Sequence, residues 1–149
     1  MKLSTLLLFF TIVIGGCSST SKTAIKEVKH QKNIVIDYSA ESRGFYNHIE
    51  VKNQTMYVQN ERNSKPTTIT CSNQEWESIQ EKINALNLNE LMNLEAPSEA
   101  RFYDGAPIGK FKIIVDGTEY TTPEFDAGNP NEEIAPLINQ VLTLSQKVD

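Results

Sequence analysis

Few side chains in this 149-residue chain are suited to chemistry near neutral pH. There are two cysteines, Cys17 and Cys71, and two histidines, His30 and His48. A zinc site normally takes three or four protein ligands drawn from Cys, His and carboxylates, and these four residues do not fall in metal-ligand spacing. No glycine-rich phosphate loop or nucleotide motif is present. Neither a metal nor any other cofactor is expected. A Ser-His-Asp arrangement is spatial and leaves little trace in sequence. In the body of the chain only His48 could be its imidazole, and nothing like Gly-x-Ser-x-Gly accompanies it. Asp104, Asp116, Glu124 and Asp126 make a carboxylate-rich second half. Paired carboxylates can do general acid–base work. However, Asp104-Gly105 and Asp116-Gly117 are turn signatures, and Asp126-Ala127-Gly128 precedes a helical stretch, so a structural role is expected for all four.

The remaining cysteine chemistry lies at the start. Met1-Lys2 is positive, and Leu3 to Ile14 is almost wholly apolar. As a helix this run covers about 18 Å, against a hydrocarbon core of about 30 Å. It fits a signal-peptide core, with residues 1–16 as the signal peptide. Ile14-Gly15-Gly16-Cys17 resembles the lipobox of bacterial lipoproteins. The resemblance implies that the Cys17 sulfur takes a diacylglyceryl group and that a peptidase cuts just before it. Two or more acyl chains give stable membrane attachment, at about 0.8 kcal/mol per buried methylene. By the same resemblance, Ser18 in place of Asp implies the outer membrane. The lack of acidic residues in Ser18 to Lys22 implies its periplasmic side. The alternatives are a cleaved signal with Cys17 left free, or an uncleaved anchor.

Charge narrows the partners. The precursor has 14 basic and 19 acidic side chains, a net charge of −5. An acidic chain without a basic block argues against nucleic acid. It also argues against attraction to an anionic membrane, leaving the lipid as the attachment. If Cys17 is a thioether, Cys71 has no internal partner and is expected to be a buried, inert thiol. Residues 17–32 read as a lipidated tether, with an r.m.s. span of roughly 20 Å. Residues 33–149 read as one domain.

In that domain Ile34, Ile36 and Tyr38 alternate as a first strand, which Ser39 to Gly44 is expected to end. Phe45 to Val51 follows, with Phe45, Ile49 and Val51 on one face. Asn53-Gln54 makes a turn, Met56 and Val58 continue a third strand, and Thr67 to Cys71 is a fourth after the Asn63–Pro66 turn. Ser72-Asn73-Gln74-Glu75 is a capping box, flanked by Cys71 and Trp76 as a hydrophobic staple. Trp76, Ile79, Ile83 and Leu86 then share a helical face. Leu88, Leu91, Met92 and Leu94 predict a second short helix, and Glu95 to Pro107 a loop. Phe111, Ile113 and Val115 alternate, Asp116-Gly117 predicts a type I′ hairpin, and Thr118 to Thr122 returns. Ile134, Leu137, Ile138, Val141 and Leu142 predict a last helix from about Glu133, with Pro136 in its tolerated first turn. The expected fold class is α+β: a single antiparallel sheet of about six strands with two or three helices on one face.

Strand alternation puts Tyr46, His48, Glu50, Tyr57, Lys110 and Lys112 on the face opposite the helices. That face is either simply solvated or a flat recognition surface. The expected function is a lipid-anchored cell-envelope protein, non-catalytic, binding another envelope protein or a cell-wall component there. One alternative is a periplasmic hydrolase, which needs a cleft joining a nucleophile to His48 or to a carboxylate pair. Another is an inhibitor of a wall-degrading enzyme such as lysozyme. Ser42-Arg43-Gly44-Phe45-Tyr46 is similar to the Ser-, Gly- and Tyr-bearing loop of small periplasmic lysozyme inhibitors. The partner and the oligomeric state are left open.

Overall fold

Apolar residues at every second position draw the chain into strands from Ile34 onward. A computed structural model of the protein describes residues 33–148. The expected signal peptide, Cys17 and the tether with His30 lie outside the described residues. The strands are β1 (Ile34–Glu41), β2 (Tyr46–Lys52), β3 (Thr55–Gln59), β4 (Thr67–Thr70), β5 (Ile108–Val115), β6 (Thr118–Thr121) and β7 (Phe125–Asp126). Two α-helices, α1 (Asn73–Ala85) and α2 (Ala135–Ser145), complete the domain with short 3₁₀ segments at Leu88–Asn93, Ala100–Tyr103 and Gln146–Val148. The class is α+β, with one antiparallel sheet in the order β4-β3-β2-β1-β5-β6 and β7 added to β5.

Local chemistry sets the turns. Asp116 and Gly117 both have positive φ, 50° and 86°, as a type I′ hairpin requires. The Asp116 carboxylate also accepts the Asn33 N–H at 2.9 Å, which ties the start of β1 to the β5–β6 turn. At the start of α1 the Ser72 hydroxyl accepts from the Glu75 N–H, and the Glu75 carboxylate accepts from the Ser72 N–H. Cys71 and Trp76 flank this box, 3% and 2% exposed. α2 begins at Ala135 with Pro136 in its first turn, where a missing N–H costs nothing.

One core joins sheet to helices. Ile36, Ile49, Val51, Met56 and Ile113 are fully buried and cluster with Trp76, Ile79, Leu137, Ile138 and Val141 from the two helices. Each large aliphatic side chain so buried contributes about 1.5–3 kcal/mol.

Several expectations need correction. β1 runs on to Glu41, through the residues expected to end it, because Ala40 still faces the core at 2% exposure while Ser39 and Glu41 face out. Phe45 precedes β2 and is 47% exposed, and Asn47 occupies the inward position next to Ile49. The segment after α1 is a 3₁₀ helix that buries only Leu91, leaving Met92 68% exposed. β7 was not foreseen, since two residues carry no periodicity. Asp126 is the last residue of β7 and is 2% exposed.

Candidate functional site

The antiparallel registers build the outward face row by row. Lys112, Asp37, Glu50, Tyr57 and Thr68 lie directly across from one another on β5, β1, β2, β3 and β4. The next row is Lys110, Ser39, His48 and Gln59. Beyond it Ile108, Glu41 and Tyr46 align. Tyr46, His48, Glu50, Tyr57 and Lys112 therefore share one surface, and each keeps part of its side chain in water.

The face is a mosaic of small ion pairs. His48 Nε2 lies 3.4 Å from Asp37. Glu41 meets Arg62 at 3.1 Å and Lys110 at 3.7 Å, Lys110 also meets Glu124 at 3.5 Å, and Lys112 meets Glu119 at 3.6 Å. The Arg62 guanidinium sits over the Tyr46 ring, 5.3 Å from its centroid. Asp37 and Glu50 are directly opposed, a destabilising pairing for like charges, which His48 and Lys112 offset. The hydrogen bond to Asp37 raises the His48 pKa above its ordinary value, and the same bond lowers that of Asp37. Exposed pairs of this kind contribute about 0–1 kcal/mol each, so a partner's charges can replace them at little cost.

Asp37 was missed in the sequence. Its only signal is its outward position in β1, eleven residues before His48, and it acquires meaning once the β1–β2 register is known. Register also sets Ser39 opposite His48, giving Ser, His and Asp as neighbours. Among the described residues no hydrogen bond joins Ser39 to His48, and the three lie on the outward face of the sheet. A cavity of about 440 Å³ is lined by Tyr38, Asn47 and Leu142 among others, with neither His48 nor any carboxylate among the described residues of its wall.

The four carboxylates singled out above are not brought together. Asp104 ends a 3₁₀ turn with φ 60°, Asp116 caps a hairpin, and Glu124 pairs with Lys110. Asp126 is a buried pin. It accepts hydrogen bonds from the Ser98 hydroxyl at 2.6 Å, the Ala100 and Arg101 N–H groups at 2.7 and 2.8 Å, and the Arg101 guanidinium at 3.2 Å. Burial alone would raise its pKa, but these donors outweigh it and hold the carboxyl at about 2. The pin holds a turn on which Phe102 and Tyr103 are 71% and 75% exposed. Burial raises the Cys71 thiol pKa, with Glu75 adding to the effect, which disfavours the reactive thiolate.

Among the described residues no group of three or more His, Cys, Asp or Glu side chains is arranged to hold a metal ion. No described helix is long and apolar enough to cross a membrane. No protein-family model matches the chain, and no curated protein or solved structure matches it either.

Proposed function

We propose that this protein is a lipid-anchored, non-catalytic binding module of the bacterial cell envelope that engages a partner through the outward face of its sheet. The observation that carries the reading is the surface shared by Tyr46, His48, Glu50, Tyr57 and Lys112, which no described helix covers. Tyrosines give such a surface contact area at low entropic cost, while weak ion pairs around them supply exchangeable polar contacts. The lipobox resemblance at Ile14–Cys17 supplies the anchor, on the periplasmic side of the outer membrane.

A photo-crosslinking residue at Tyr57 tests the face directly in the intact envelope. The expected product is a discrete adduct with a protein or with wall material, absent when the crosslinker replaces Glu81 on α1. No adduct from Tyr57, or the same adduct from both positions, refutes the reading. Incorporation of labelled acyl chains that disappears in Cys17→Ser tests the anchor separately.

The inhibitor reading keeps one point of support: Arg43, Gly44 and Phe45 are exposed at the tip of the β1–β2 hairpin, with Arg62 donating to the Ser42 carbonyl at 3.2 and 3.3 Å. Failure to slow several types of lysozyme at micromolar concentration removes it. A hydrolase has less support, because the cavity lies on the opposite face of the sheet from Ser39, His48 and Asp37.

A further inference from the structure

β2 breaks its own pattern at one position. Inward residues of a half-buried strand are apolar as a rule, yet Asn47 faces inward alongside Ile49 and Val51. It lies in the wall of the 440 Å³ groove between the sheet and the end of α2. The Asn47 amide donates to the Asn60 side-chain oxygen at 2.8 Å, and its own Oδ1 is buried with no donor. Turning both amides over would leave the Asn47 nitrogen unpaired instead, so one buried amide atom lacks a partner in either arrangement. A buried polar atom left unpaired costs about 1–3 kcal/mol, and such atoms call for an explanation.

A second group points the same way. Tyr38 lines the groove and is 3% exposed, and its hydroxyl makes no hydrogen bond among the described residues. Burial raises its pKa, so it remains a neutral donor and acceptor. Gln146 adds a carboxamide, while Ala40, Phe45, Pro107 and Leu142 supply apolar wall. Phe45 keeps 47% of its surface in water.

We infer that this groove is a binding site for a neutral N-acylated amino sugar. Charged ligands are disfavoured, because among the described residues no Asp, Glu, Lys, Arg or His lines the site and an unpaired buried charge is costly. The volume equals that of about fifteen water molecules, enough for a pyranose ring with its acetamido arm. The polar groups outnumber what a single amide needs. The Tyr38 hydroxyl, the free amide nitrogen of Asn60 and the Gln146 amide line the groove and match a ligand with several hydroxyls and one N–H, while the buried Asn47 Oδ1 becomes available once the Asn47 amide turns toward it. The apolar wall accepts the acyl methyl group, and the exposed Phe45 ring offers a face to the sugar's C–H surface. This site opens on the helix side of the sheet and is independent of the outward face proposed above.

Saturation-transfer NMR on the full chain in detergent provides the test, with methyl N-acetyl-β-glucosaminide as the probe. Transfer to the acetamido methyl is expected, with none to methyl glucoside and none to glucosamine, which is cationic. Tyr38→Phe removes one hydroxyl without changing shape and is expected to weaken binding about fivefold. Phe45→Ala weakens it further, and Glu77→Gln on α1 leaves it unchanged. Overturning results are absent transfer to the probe, equal binding of methyl glucoside, binding of N-acetyl-leucine methylamide at least as tight as that of the sugar, or indifference to both Tyr38→Phe and Phe45→Ala. Circular dichroism of each variant separates lost binding from lost fold.

Discussion

Gly109 lies in the middle of a buried contact, and replacing it by alanine reverses the usual sign of that substitution. In an open strand, glycine to alanine stabilises by about 0.5–1 kcal/mol through the unfolded chain's entropy. Here β7 pairs Phe125 with Gly109, and the ring covers the space where a side chain would stand. A Cβ at position 109 would lie 2.7, 3.0 and 3.1 Å from three carbons of that ring, where relaxed carbon contacts are about 3.5–4.0 Å. Phe125 is 2% exposed, so the ring has no solvent to move into. Overpacking of this kind costs about 1–3 kcal/mol, leaving Gly109→Ala destabilised by about 1–2 kcal/mol after the entropic gain. With a urea slope of about 2 kcal/mol/M, the midpoint falls by about 0.5–1 M. Trp76 is the only tryptophan and is buried, so its fluorescence follows the transition without a label. Combining Gly109→Ala with Phe125→Leu is expected to cost less than the two single changes added together. A Gly109→Ala midpoint at or above that of the parent, with the slope unchanged, would refute the argument.

The Asp37–His48 pair makes stability depend on pH in a defined window. His48 is raised, so its contribution is complete below the unfolded value of about 6.5 and is lost as pH rises through the folded pKa. Asp37 is lowered, so its contribution is present above about 3.9 and is lost as pH falls through its folded pKa. Both side chains are about one-third exposed, which limits the effect to about 1 kcal/mol or less. Urea midpoints at pH 5.5 and 8.5 should differ less in His48→Gln than in the parent, and parallel pH profiles would contradict the assignment. Asp126→Asn leaves fewer charge-assisted bonds on the 98–101 turn; hydrogen exchange at the Ala100 and Arg101 amides should quicken by about tenfold or more, and unchanged protection would show that the pin is dispensable. Ser72→Ala removes half of the capping box and should cost about 1 kcal/mol, read from the same urea transition; an unchanged midpoint would mean water caps α1 as well.

Features written in adjacent residues were legible in the sequence. The capping box spans four residues, the type I′ turn two, and strict period-two alternation sorts Tyr46, His48, Glu50, Tyr57 and Lys112 onto one face without knowledge of the topology. Features that depend on distant partners were not. The Asp126 carboxylate is completed by residues 25 to 28 positions upstream, so the local string Asp-Ala-Gly resembles any other turn. β7 exists because β5 offers it an edge. The end of β1 was hidden by small and polar residues in a stretch that still alternates. Asn47 left the one readable trace of the groove, as a polar residue on an apolar phase. An interrupted pattern was worth as much there as a regular one.

The rims of the sheet are short: β4 on one side and β6 on the other have four residues each, β7 beside β6 has two, and Pro66 and Pro123 lie close to β4 and β6. Strand edges carry unpaired backbone groups that can template pairing between chains, and shortness and proline both blunt that tendency. On the proposed anchor this bears on crowding. Molecules confined to a bilayer meet sideways far more often than the same number free in solution, and long open rims would let them link into ribbons. Short threonine-rich rims keep such neighbours separate, so that a dense lawn of these domains could still present its broad faces one molecule at a time.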